Sequence, residues 1–220
     1  MKLSVILPTR NEEETIFEVI KRLSKIKPKP YEIIISDFSQ DRTKEVAKKA
    51  FEKFKIRGKI IDVKQKGKGI AIKKAFEFVE GDLIVIIDAD LNYLPEDIPR
   101  LLKYKEYDIV QPKRKRLDSF TRKLLGKIFH FLVLLLFGLS IDTQCALKLV
   151  RKEVIKKIKI KTNGFCWDVE FLYLAKKYGF KIYNGPIVSY STRSKGKSKI
   201  KFSTPLEMFI ELLKIRIRTL

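Results

Sequence analysis

Between Leu3 and Ile87, short runs rich in β-branched residues alternate with segments of helical periodicity. Leu3–Leu7, Tyr31–Ile35, Lys59–Val63 and Leu83–Ile87 read as strands. Glu12–Ile26, Asp41–Phe54 and Lys68–Val79 read as helices, the first with Ile16, Val19, Ile20 and Leu23 on one face. Pro28 and Pro30 end that helix, and Gly81 closes the third. Leu83–Ile87 is apolar without a break, which marks a strand buried on both faces. The order β-α-β-α-β-α-β predicts an α/β fold: a mostly parallel, Rossmann-like sheet with helices on both faces. In such sheets ligands sit at the carboxyl ends of the strands. Those ends are Pro8-Thr9, Ser36-Asp37, Lys64–Gly69 and Asp88–Asn92.

Chemistry-bearing residues gather at these ends. Asp88-Ala89-Asp90 follows the most apolar strand, where two carboxylates are costly to desolvate unless a cation joins them. Mg²⁺ or Mn²⁺ prefers oxygen ligands and completes its shell with water and substrate phosphate, so a metal and a diphosphate fit this pair. A pair of acids capping the next helix is the other reading. Asp37 is a ligand candidate by position, and Asp41 a helix cap. Lys66-Gly67-Lys68-Gly69 opens a helix; it reads either as an ordinary turn or as a site where backbone approaches an anion.

The second half differs. Lys113 to Lys127 holds Lys113, Arg114, Lys115, Arg116, Arg122, Lys123 and Lys127, opposed only by Asp118. An apolar run, Ile128–Leu139, follows directly and is shorter than the roughly 18 residues that span a bilayer. A basic loop over Thr192–Lys201 leads to a last helix beginning at Thr204-Pro205-Leu206-Glu207, a capping box. Its apolar face is Leu206, Phe209, Ile210, Leu213 and Ile217; packing on the core and lying in a membrane plane are both open for it. The formal net charge of +22 calls for a polyanionic partner, either an anionic membrane or nucleic acid. A nucleic-acid-binding protein would leave the strand-end acids and the apolar run unexplained, so nucleic acid is not expected as a partner. Cys145 and Cys166 lack metal-ligand spacing, and one His cannot complete a zinc site; they read as buried thiols. The N-terminus enters a strand at once and has no signal-peptide pattern. The 220 residues read as a single domain, 1–220, whose first half, 1–110, carries the strand-end motifs and whose second half, 111–220, carries the basic and apolar runs.

Taken in order, these segments resemble the family-two inverting glycosyltransferases of the GT-A fold, above all the dolichyl-phosphate mannose and glucose synthases. Pro8-Thr9-Arg10-Asn11-Glu12 is similar to P-x-Y-N-E, and Ser36-Asp37-Phe38-Ser39-Gln40-Asp41-Arg42-Thr43 to D-D-x-S-x-D-x-T. Gly67–Ala71 resembles G-K-G-x-A, Asp88–Asn92 resembles D-A-D-L-x, and Asp142–Leu149 resembles D-T-Q-C-G-F-K-x. Trp167–Glu170 resembles F-D-V-E, and Arg193, Gly196, Ser198 and Lys199 fit R-x-x-G-x-S-K. Arg10 stands where the family has Tyr, Ser36 where it has Asp, and Ala146 where it has Gly. The resemblance implies sugar transfer, with inversion, from a UDP- or GDP-hexose (glucose or mannose) to a polyprenyl or dolichyl phosphate. It makes 1–110 the nucleotide-sugar-binding half and 111–220 the acceptor and membrane-facing half, and places the chain peripherally on the cytoplasmic face of the membrane, with interfacial membrane-associated helices beside the sheet. It implies Mg²⁺ or Mn²⁺ held by Asp88, Asp90 and Asn92, and a donor pocket of Pro8, Arg10, Glu12, Ile35, Asp37, Lys68, Asp88 and Ala89. Arg114, with Arg122, Arg193 and Lys199, becomes the cationic acceptor set. Transfer to a glycan hydroxyl is the alternative; it needs a general base, for which Asp168 is the candidate. Catalytic weight falls on Asp90, Arg114 and Asp168.

Overall fold

A computed structural model describes residues 1–116, 120–190 and 204–219. The strands are β1 (Leu3–Thr9), β2 (Glu32–Asp37), β3 (Gly58–Asp62), β4 (Leu83–Ile86), β5 (Ile109–Arg116), β6 (Lys148–Arg151) and β7 (Ile182–Tyr190). They form one sheet in the order β3-β2-β1-β4-β6-β5-β7. Pairing is parallel except where β6 lies antiparallel between β4 and β5. The expected mostly parallel sheet is therefore present, with one reversed strand inserted. The helices are α1 (Ile16–Leu23), α2 (Thr43–Phe54), α3 (Lys68–Phe76), α4 (Ile98–Leu102), α5 (Phe120–Phe137), α6 (Lys152–Lys157), α7 (Trp167–Lys177) and α8 (Thr204–Thr219).

Alternation along the strands feeds two cores. Val5, Leu7, Ile33, Ile35 and Val85 face one side, where α1, α2 and α4 pack; Ile6, Ile34, Ile84 and Ile86 face the other, with α3, α5, α6, α7 and α8. The period-3.6 stripe of α1 is buried as its spacing predicts, through Ile16, Val19, Ile20 and Leu23. The helix starts at Ile16 rather than Glu12, because Glu12–Thr15 form a turn whose carbonyl at Glu12 takes the Thr15 and Ile16 amides.

The basic run divides between two elements: Lys113–Arg116 belong to β5, and Lys127 lies in α5. Late in the chain, Ile182–Tyr190 is one continuous strand, β7, parallel to β5 with a register shift at Gln111/Lys113. The predicted apolar face of α8 points outward. Leu212 and Ile215 are the buried residues, whereas Leu206, Phe209, Ile210, Leu213 and Ile217 are exposed. Leu124, Leu125, Ile128, Phe131, Leu134 and Leu135 of α5 are exposed too, and α5 contacts α8. No helix among the described residues is long and apolar enough to cross a membrane. Cys145 and Cys166 are buried and free.

Candidate active site

Strand order reverses between β1 and β4, which flank each other while β2 and β3 continue to one side. A crevice at such a point is where α/β sheets take ligands. The chain leaving β4 carries Asp88, Ala89 and Asp90 into it. Leu91 then adopts a left-handed backbone with φ of 60°, a conformation costing a branched residue about 1–3 kcal/mol. That turn folds Asn92 back on Asp90: the Asn92 amide donates to Oδ1 at 3.1 Å and Nδ2 donates to Oδ2 at 2.7 Å. The Asn92 side-chain Oδ1 is buried without a hydrogen-bond partner. Burial, then the neighbouring Asp88 charge, push Asp90 up to about 6; Glu12 adds to this, and the Asn92 amide and Lys68 oppose it.

The donor set thus comprises two carboxylates and an orphaned amide oxygen, all hard oxygen ligands suited to Mg²⁺ or Mn²⁺. Among the described residues no group of three or more His, Cys, Asp or Glu is placed to hold a metal. A small protein share is what Mg²⁺ usually takes when substrate phosphate supplies the rest. Ala89 is buried beneath the loop.

Lys68, in the first turn of α3, reaches across with Nζ 2.7 Å and 2.9 Å from the two Asp88 oxygens. Burial alone would lower its pKa, but Asp88 outweighs burial and raises it. The glycines around it do not open a phosphate cradle. The Gly69 amide donates to the carbonyls of Asn163 and Gly164, and the Ile70 amide donates to that of Asn163. A Cβ at Gly69 would lie 2.3 Å from the Thr162 carbonyl oxygen, and one at Gly67 would lie 2.4 Å from that of Asn163. These glycines let the 162–164 backbone close on the helix N-terminus. Gly69→Ala is expected to cost about 1–3 kcal/mol through this overpacking, and an unchanged thermal unfolding midpoint would refute the close contact.

At the ends of β1 and β2, Asp37 is buried and satisfied locally. Its Oδ1 accepts from the Thr9 and Ser39 hydroxyls, each at 2.6 Å, and its Oδ2 from the Ser39 amide at 3.0 Å. Asp41 is not the N-cap of α2, which is Arg42; from one residue earlier it accepts the Thr43 amide at 3.0 Å. Pro8 is half-buried, Arg10 exposed and Glu12 buried at this rim. Ile35 is a correction: it is 0% exposed and packed in the core, so its side chain is no pocket wall.

On the other side of β4, Arg114 forms a two-point pair with Asp142, Nε to Oδ2 and Nη2 to Oδ1, both 2.6 Å. This commits two of its nitrogens to the protein, and the pairing raises its pKa against the pull of burial. The pair lines a cavity of about 450 Å³ with Lys113, Lys127, His130, Gln144 and Asn184, and Phe131 and Leu134 of α5 line it too. The Asn184 Oδ1 is buried and unpartnered.

Asp168 lies in the first turn of α7. Burial pushes its pKa up to about 6, opposed first by Lys148 and then by Lys68, with Arg114 adding to them. The fold thereby brings Asp88, Asp90, Asn92, Lys68, Arg114 and Asp168 into one electrostatic neighbourhood. Arg193, Lys199 and the Arg122 side chain lie outside the described residues. No role for Lys148, Asp142, His130 or Asn184 was read from the sequence. Lys148 had a signal, as a lone cation inside the apolar stretch Cys145–Val150.

Residues 4–159 match the family described as glycosyl transferase family 2, and the chain belongs to it. It is 32% identical to a dolichol-phosphate mannosyltransferase of Pyrococcus furiosus over 94% of this chain and 61% of that protein. It is 30% identical to a dolichyl-phosphate beta-glucosyltransferase of Trichomonas vaginalis, over 98% of this chain and 73% of that protein. Other curated relatives are named undecaprenyl-phosphate 4-deoxy-4-formamido-L-arabinose transferases, and the chain spans 63% and 50% of the length of two of them. Among solved structures, glucosyl-3-phosphoglycerate synthase of Mycobacterium tuberculosis, in complex with Mn²⁺, UDP and phosphoglyceric acid, shares the fold. Its TM-score is 0.79 at 18% identity, covering 98% of this chain and 78% of that one.

Proposed function

We propose that the chain transfers a hexose, glucose or mannose, from a UDP- or GDP-linked donor to a polyprenyl or dolichyl phosphate. The reaction takes place at the cytoplasmic face of an anionic membrane. The observation that carries this reading is the cavity between β5 and α5. Its basic residues (Lys113, Arg114 and Lys127) suit a phosphate, and its α5 wall includes Phe131 and Leu134, which are also part of the exposed apolar face. A phosphate head on an apolar tail matches both. The names of the relatives, all transferases to lipid-linked phosphates, support the same acceptor class.

Asp88, Asp90 and Asn92 would hold Mg²⁺ or Mn²⁺, which supplies charge stabilisation for the departing diphosphate. Lys68 adds a second cation on the donor side. The acceptor phosphate, with a second pKa of about 6, arrives ionised and is its own nucleophile. It approaches opposite the leaving group, so the configuration inverts. Arg114 and the cavity lysines offset the repulsion between two anions. Asp168 is the residue that favours the alternative acceptor, a glycan hydroxyl: a buried carboxyl with a pKa of about 6 is poised as a general base.

The deciding assay offers radiolabelled UDP- and GDP-hexoses with dolichyl phosphate and with soluble glycans. Labelled lipid product is expected; product on the glycans alone would overturn the lipid reading. Attachment is tested separately. The protein is expected to float with vesicles of anionic lipid, and to release at about 1 M salt, where screening shortens to about 3 Å. Carbonate should also remove it. Retention through carbonate would mean deeper insertion than α5 and α8 lying in the interface.

A further inference from the structure

Lys148 is 0% exposed, in the middle of the sheet on β6, opposite Ile86 of β4. A buried ammonium is costly unless partners compensate it. Its Nζ donates to the Cys145 carbonyl at 2.9 Å, sits 4.7 Å from the centre of the Trp167 ring, and lies 3.9 Å from Asp168 Oδ2. The Asp168 carboxylate is fixed from its other end, since Oδ1 accepts the Val169 amide at 2.9 Å. Asp168 keeps 11% side-chain exposure whereas Lys148 keeps none. The carboxylate thus keeps a little solvent contact, and the ammonium beneath it keeps none.

We propose that Lys148 is a positioning residue for Asp168: from beneath the site, it sets the charge and direction of that carboxylate without touching substrate. This rests on the reading of Asp168 as a substrate-facing group. Among the described residues, three cations act on Asp168: Lys148 from β6, Lys68 from α3 and Arg114 from β5. Of these, Lys68 is held by Asp88 and Arg114 by Asp142. Lys148 is the one whose ion pair is with Asp168. Burial pulls Lys148 toward neutrality, and Asp168 opposes this. Each charge thus keeps the other.

The test is a double-mutant cycle with Lys148→Met and Asp168→Asn in the full chain, read by thermal unfolding and by pH–rate profile. Asp168→Asn strands the buried ammonium and should lower the melting temperature by about 5 °C or more. Adding Lys148→Met to it should restore most of that loss, because no charge is left unpaired. Additive losses in the double variant would overturn the pairing. Should Lys148→Met alone not fold, the double variant must fold better than it does, and equal failure would also overturn the proposal. For catalysis, Lys148→Met should move the acidic limb of kcat/KM upward by about one pH unit, because Asp168 loses the cation that favours its ionised form. An unmoved limb would reduce Lys148 to a packing residue. The stability cycle needs no substrate, so it stands apart from the choice of sugar and acceptor.

Discussion

Asp90→Ala is expected to lower transfer at least about a hundredfold, equivalent to about 2.7 kcal/mol of transition-state stabilisation, while folding survives. The asymmetry follows from the surroundings of Asp90. Burial and the adjacent Asp88 already disfavour its charge in the folded protein, so deleting the carboxylate removes a group that costs stability. What is lost is a ligand. Asn92→Ala should have a smaller effect, because Asn92 both turns Asp90 through two hydrogen bonds and offers an unpartnered oxygen. A loss of about tenfold in metal affinity is expected there. Titration of Mn²⁺ by calorimetry or paramagnetic resonance reads both variants without turnover. Full activity in chelator, or unchanged Mn²⁺ binding by Asp90→Ala, would remove the metal from this site.

Much of this donor side was legible from residue order. β1 to β4 and their helices carry strong periods, and the motif residues fall at strand ends because the fold class puts ligands there. The glycines stayed open between two readings for a physical reason. A glycine before a helix states that something comes close, not what. Here it is the 162–164 backbone, nearly a hundred residues away, and only the tertiary fold brings it to the Gly69 amide. β6 was missed because it is four residues long, antiparallel and begins at Lys148, which reads as a break in an apolar run. In α8 the period was legible and the direction was left open. An apolar stripe shows that a helix has a face to cover, whereas Leu212 and Ile215, on the neighbouring stripe, meet the core. Glu211 settles which way the helix sits, by accepting the Cys166 amide at 2.9 Å at the start of α7. The exposed face of α8 then joins that of α5, and together they argue for an apolar partner more strongly than either does alone.

Arg114→Ala is expected to reduce transfer to dolichyl phosphate by more than about tenfold, or about 1.4 kcal/mol, with the loss concentrated in acceptor affinity. The reason differs from that of a free surface cation. Arg114 is 7% exposed and joined at two points to Asp142, so its removal also leaves a carboxylate uncompensated in the cavity wall. An anionic acceptor would then meet a negative wall where a neutral pair had stood. Asp142→Asn separates the two effects. It keeps the shape and leaves Arg114 with more charge to offer, so acceptor binding should hold or tighten while Arg114→Ala weakens it. The control is Lys→Ala at Lys21, Lys25 and Lys48 together; they lie on the α1 and α2 side of the molecule, and none of them lines the cavity. Rates are compared at matched salt, since a chain of net charge +22 concentrates anionic lipid near its whole surface. If the triple variant loses as much activity as Arg114→Ala, bulk charge accounts for the acceptor effect and the cavity has no special part in it. If Asp142→Asn and Arg114→Ala fail alike, the pair matters as architecture, and the phosphate contact belongs to Lys113 and Lys127 instead.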